Sequence, residues 1–127
     1  MKHANISDKV VEYVLSRNVA ELPMLTVENI AKNFELNRSH LSRTFKNEKN
    51  STIEEFVFKI KIIRAATLLK DRNELTIKDI STLIGFSRAD YFIRIFKRYF
   101  GTTPAKYREL LDHSTVLKEK KRSFRST

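Results

Sequence analysis

Residues 80–97, ISTLIGFSRADYFIRIFK, repeat residues 30–46, IAKNFELNRSHLSRTFK, about fifty positions earlier. Internal self-similarity of this kind constrains the fold strongly, because both copies must build the same local structure and then share a core. Thr26 matches Thr76, Ile30 matches Ile80, Leu36 matches Phe86 and Arg38 matches Arg88, at an offset of fifty. One residue is then inserted in the second copy, so that Leu41, Arg43, Phe45 and Lys46 pair with Phe92, Arg94, Phe96 and Lys97 at an offset of fifty-one. Each copy reads as a short helix, a tight turn and a second helix, with apolar members on one side and arginines and lysines on the other. Two helix-turn-helix units are expected, each suited to reading nucleic acid.

Periodicity and capping signals predict seven helices and no strand, an all-α fold with a long linker helix between the units. Asn5 and Asp8 mark a start, and Ile6, Val10, Val11, Val14 and Leu15 give an apolar face for a helix near 6–17. Residues 18–25, with Pro23, read as a connection. Thr26 is the N-cap for 27–34, with Val27, Ile30, Ala31 and Phe34 as the buried stripe, and Asn37 caps a helix over about 38–48. Thr52 and Glu55 have capping-box spacing and open the longest helix, about 53–71. Its Ile53, Phe56, Val57, Ile60, Ile63, Ala66 and Leu69 cover more than one narrow stripe, as a helix packed on two neighbours requires.

Thr76 and Asp79 form the next capping pair; Ile77, Ile80, Leu83 and Ile84 face inward, and Gly85 supplies a left-handed turn above Phe86. Ser87 caps the following helix, Gly101 ends it, and Thr103-Pro104 starts a last short helix with Tyr107, Leu110 and Leu111. The chain thus divides into 1–50 (first helix and first unit), 51–71 (linker helix), 72–113 (second unit and last helix) and 114–127, a basic tail expected to be flexible.

At 127 residues and 41% hydrophobic, the chain can bury the core of one compact domain or two very small ones. Its 25 Lys and Arg against 15 Asp and Glu leave a charge of +10, which favours an anionic partner, nucleic acid first. Neither an apolar run long enough to span a bilayer nor a signal-peptide core is present, so a cytoplasmic, nucleoid-associated protein is expected. With no cysteine, and with His3, His40 and His113 scattered, neither a metal nor a cofactor is expected. The acidic residues are dispersed among caps and surface positions rather than clustered for metal-assisted catalysis, so the chain reads as a non-enzyme.

The second half, I-x-x-I-S-x-x-x-GFS followed by Y-F-x-R-x-FK-R-Y-FG-T-T-P-x-x-YR, resembles the signature of the AraC/XylS family of bacterial transcription regulators. The likeness runs nearly position by position from Ile80 to Arg108, and the first unit and the Arg64-Ala65 segment extend it over roughly residues 6–111. The resemblance implies a bihelical DNA-binding domain that inserts the second helix of each unit into the major groove. It also implies transcriptional regulation, usually activation, with RNA polymerase as a protein partner. The family places a glycine after the first recognition helix where this chain has Asn50. Members more often carry a separate effector or dimerisation domain, so this chain is either a stand-alone regulator, expected to be monomeric, or part of a longer one able to dimerise.

Leu41 and Phe45 must face the core, which turns Ser39, Ser42, Arg43 and Lys46 outward; Phe92, Ile95, Phe96 and Tyr99 do the same for Ala89, Asp90, Ile93, Arg94 and Lys97. By resemblance, Ser39, Ser42, Arg43, Ala89, Asp90, Ile93 and Arg94 are the positions that reach bases. A guanidinium at Arg43 or Arg94 can donate twice to guanine O6 and N7, and an outward Ile93 could touch a thymine methyl. The plain alternatives are surface arginines, an ordinary exposed isoleucine, and an Asp90 that completes a capping box with Ser87. Thr26, Arg38, Lys46, Thr76, Lys78, Arg88 and Lys97 are candidates for phosphate contacts, with solvated charge as the alternative for the lysines. Arg64, on the linker helix, is expected to be partly buried and to pair with an acidic residue.

Overall fold

The computed structural model describes residues 5–112. The predicted basic tail, His3 and His113 therefore lie outside the described residues. Within them the chain is helical throughout: α1 (Ile6–Ser16), a 3-10 helix (Val19–Met24), α2 (Val27–Asn33), α3 (Arg38–Lys49), α4 (Ile53–Asp71), α5 (Ile77–Leu83), α6 (Ala89–Phe100), and α7 over residues 104–112. That makes eight helices among the described residues rather than the seven expected. The additional one replaces the connection predicted over 18–25. Asn18 and Glu21 close a reciprocal capping box around its first turn and Leu25 N–H donates to the Leu22 carbonyl at its end, so the short helix forms although Pro23, which reads as a breaker, sits inside it without an N–H.

Most helix starts follow the local signals. The side chains of Asn5, Thr26, Asn37, Thr52 and Thr76 each accept a backbone N–H three residues on. Helix α6 departs from this pattern. Arg88, not Ser87, is its N-cap and makes no side-chain capping bond. The residue inserted in the second repeat has pushed the helix start one position along, leaving Ser87 in the turn.

The turns inside the two units are the same motif. Leu36 N–H donates to Ala31 C=O at 2.9 Å and Glu35 N–H to Lys32 C=O at 3.1 Å; Phe86 N–H donates to Ser81 C=O at 2.9 Å and Gly85 N–H to Thr82 C=O at 3.1 Å. This paired 6→1 and 5→2 bonding requires a left-handed residue, supplied by Glu35 at φ 55° and by Gly85 at φ 100°. Asn50, likewise left-handed at φ 57°, ends α3 where the family pattern has glycine.

Helix α4 is two-sided, as its broad apolar pattern predicted, and packs against α1 and α3 on one side and α5 and α6 on the other. Phe56 meets Phe45 of the first unit with ring centres 5.9 Å apart, while Phe58 stacks on Phe86 of the second at 5.7 Å. A chain of ring contacts continues through Phe92, Phe96 and Phe100 to Tyr107 on α7. The fully buried core includes Val10, Val14, Ile30, Leu41, Phe45, Ile62, Leu69, Ile80, Ile84, Phe92 and Phe96.

Several apolar residues expected inside are outside: Leu15, Ile63, Leu83, Tyr99 and Leu110 are exposed, and Ile95 and Tyr107 are only half-buried. Helical periodicity finds the centre of an apolar face, but neighbouring helices decide how wide a stripe is covered. Two arginines tie elements together. Arg64 donates to the Leu15 carbonyl at 2.9 Å rather than to the acid expected, covering the C-terminal end of α1. Arg108 donates to the carbonyls of Leu69, Leu75 and Arg72 at 3.1, 2.7 and 3.2 Å, locking α7 onto the end of α4 and the loop before α5.

Candidate nucleic-acid interface

Helices α3 and α6 are equivalent in register. Arg43 is the sixth residue of α3 and Arg94 the sixth of α6, and both are exposed. Each is held outward by the buried pair on the opposite side of its helix, Leu41 with Phe45 and Phe92 with Phe96, four residues apart. Ser39 and Asp90, the second residues, are exposed as well, whereas Ser42 and Ala89 are half-buried. Ile93 is half-buried and packed against the core, so it has a packing reason that the outward reading lacked.

Asp90 is not part of a capping box. Its carboxylate takes two hydrogen bonds from Arg88, Nε at 3.1 Å and Nη2 at 2.6 Å, which hold its carboxyl below the usual carboxylate range. In the first unit Arg38 pairs with Glu28 at 2.9 Å. Both arginines predicted to meet phosphates are thus held by exposed carboxylates that a phosphate would have to displace. Lys46, Lys78 and Lys97 are exposed. Thr26 and Thr76 are exposed, but their hydroxyls are engaged in capping α2 and α5, leaving backbone N–H groups as what those helix ends could offer an anion.

The N-terminal ends of α3 and α6 border neighbouring clefts. One, of about 330 Å³, includes Thr26 and Arg38; the other, of about 250 Å³, includes Arg88 and Tyr91; Phe58 and Gly85 line both. The two second helices therefore start from either side of one concave stretch of α4 and the second turn.

Sequence reasoning missed Tyr91. It is the third residue of α6, in edge or tilted contact with Phe58 and Phe86, and the Arg94 guanidinium carbon lies 5.6 Å from its ring centre. Its position one turn before Arg94 on the same face was the available signal. Lys61, almost wholly buried in α4, was also not anticipated.

Among the described residues no group of three His, Asp or Glu is placed to hold a metal, and no helix is long and apolar enough to cross a membrane.

A paired helix-turn-helix architecture with basic, outward recognition helices defines a class of DNA-binding domain, and comparison with known proteins specifies it further. The family described as "Helix-turn-helix domain" matches residues 30–110. The probable transcription factor PqrA of Proteus vulgaris is 39% identical over 101 residues, covering 80% of this chain and 79% of PqrA. The Msm operon regulatory protein of Streptococcus mutans is 36% identical over 90 residues, covering 71% of this chain but 32% of that protein. Among solved structures, the C-terminal domain of the response regulator AraT from Geobacillus stearothermophilus superposes with a TM-score of 0.72 at 27% identity, covering 87% of this chain and 88% of that one. The DNA-binding domain of the transcription factor AdpA, solved with a target DNA, shares the fold with a TM-score of 0.69 at 20% identity, covering 84% and 93%. The chain belongs to the AraC family of bacterial DNA-binding transcription regulators.

Proposed function

We propose that the protein is a sequence-specific regulator, acting mainly as an activator, that inserts α3 and α6 into successive major grooves of promoter DNA. The observation carrying this reading is the equivalence of Arg43 and Arg94, exposed at the same helical position of two units braced by one helix. Helix α4, with 19 residues, spans about 28 Å, close to the roughly 34 Å between major grooves on one face of the duplex. Arg43 and Arg94 read guanine, Asp90 accepts from cytosine N4, and Ser39, Ser42 and Ala89 make closer or water-bridged contacts. Ile93 contributes mainly by packing and touches a thymine methyl only with its exposed part.

Arg38, Lys46, Lys78, Arg88 and Lys97, with the helix ends at Thr26 and Thr76, hold phosphates. The reading also takes in recruitment of RNA polymerase, action as a monomer, or as a dimer within a longer chain, and work at the cytoplasmic nucleoid. The domain boundaries follow the two units and the linker, with the basic tail adding nonspecific affinity. Selection of bound fragments from random duplex DNA tests this proposal: it should return one asymmetric site with two conserved blocks about one helical turn apart. A single short block, or no enrichment, would overturn it.

A further inference from the structure

Lys61 lies midway along α4, is only 7% exposed, and has no ion-pair or hydrogen-bond partner among the described residues. Burial by itself holds its ammonium below the usual lysine range. Lysine stems commonly run along apolar surface with the charge released to water; here the stem is buried and the ammonium borders a cleft with no anion among the described residues paired to it. The ammonium sits beside the turn of the second unit, where a Cβ on Gly85 would come within 3.2 Å of Nζ. Lys61 lines the 330 Å³ cleft, whose wall includes Leu25, Val27, Val57 and Phe58.

We propose that this cleft binds a small apolar monocarboxylate, its carboxylate paired with Lys61 and its hydrocarbon part against Leu25, Val27, Val57 and Phe58. One unpaired cation beside apolar side chains is complementary to one anionic head on an apolar body. The volume is at the lower end for a ligand pocket, which sets the size. Glu28, Arg38 and Glu54 also line the cleft, and Arg38 pairs with Glu28 at 2.9 Å, which leaves Lys61 as the lining cation without a partner among the described residues. Because the lining comes from the first unit, from α4 and from Gly85 of the second, a bound acid would touch all three parts of the reading head. The inference does not depend on which residues read bases.

Octanoate and its uncharged isostere octanamide are the probes, titrated into the full chain by calorimetry and by amide NMR. Octanoate should bind one site roughly tenfold more tightly than octanamide, the difference one charged hydrogen-bonded pair supplies. The largest shifts should fall on Val57, Lys61 and Gly85. Lys61→Met, an apolar replacement of similar length that suits a buried site, should abolish the preference while retaining the melting transition and DNA binding, and Lys61→Gln should behave alike. No octanoate binding below about 10 mM, equal affinity for both probes, undiminished octanoate binding by Lys61→Met, or shifts confined elsewhere would each overturn the proposal. So would a Lys61→Met variant whose DNA affinity and salt slope both fall, because the lysine would then belong to the DNA backbone.

Discussion

The guanidinium carbon of Arg94 lies 5.6 Å from the centre of the Tyr91 ring, three residues earlier on α6, and that ring is itself packed against Phe58 and Phe86. A cation over an exposed aromatic face is stabilised by about 0.5–1 kcal/mol. The contact therefore restricts Arg94 to a subset of its rotamers before DNA arrives. In α3 the equivalent third residue is His40. Tyr91→Ala should reduce discrimination at the base read by Arg94 by about two- to fivefold, and Tyr91→Phe should keep it. Competition binding against single-base variants of the selected site decides the matter; an unchanged preference in Tyr91→Ala would remove the positioning role.

Arg43→Lys and Arg94→Lys preserve charge but not the planar fork, so each should lose about 1–3 kcal/mol of preference at one base pair. Lys97→Ala should instead weaken specific and random DNA alike and reduce the salt slope by about one. Equal losses on both kinds of DNA from all three variants would show that the arginines serve as phosphate contacts.

Glu35 and Gly85 hold the same turn position with φ of 55° and 100°, yet they should respond to substitution in opposite directions. At Gly85 a Cβ would come 2.8 Å from Pro23 Cα, on the 3-10 helix, in a backbone region closed to side chains. Gly85→Ala should therefore destabilise by about 3 kcal/mol. Glu35→Gly relieves the left-handed strain and should stabilise by about 0.5 kcal/mol, net of the added freedom of the unfolded chain. Urea denaturation of both variants checks the signs.

Arg108 supplies three donors to carbonyls at the end of α4 and the following loop. Arg108→Ala leaves partly buried acceptors unpaired and should cost about 2–3 kcal/mol, lowering Tm by roughly 10 °C. Arg108→Lys, unable to span three acceptors, should recover only part of this. A loss below about 0.5 kcal/mol, the range of ordinary surface substitutions, would mean that water replaces the guanidinium freely.

The Asp79 carboxylate accepts from Thr76 N–H at 3.0 Å, which holds its carboxyl below the usual range, while the Asp79 N–H donates to the Thr76 hydroxyl at 3.0 Å. A depressed folded-state pKa contributes stability above the unfolded value, near 3.9, that is lost as pH falls through the folded value. Asp79→Asn should be less stable than the parent at pH 7, and the gap should narrow on acidification below about pH 4. A gap independent of pH would assign the effect to helix propensity instead of charge.

The sequence by itself determined the repeat, the all-helical class, nearly every helix start and the placement of Arg43 and Arg94 opposite buried pairs. Those features are written in local terms: a capping side chain three residues before its N–H, or apolar residues four apart, act within one turn and need no distant partner. Tertiary structure decided what depends on neighbours far along the chain. The turn at residue 85 must be glycine because Pro23, on a short helix hidden behind a proline, packs against it. Ile63 ended outside and Lys61 inside, because the helices covering α4 determine which part of its broad apolar surface meets water, and Tyr99 on α6 was likewise left uncovered. The same packing gave Ile93 a core contact, gave Arg64 a carbonyl, and set Tyr91 beside Arg94.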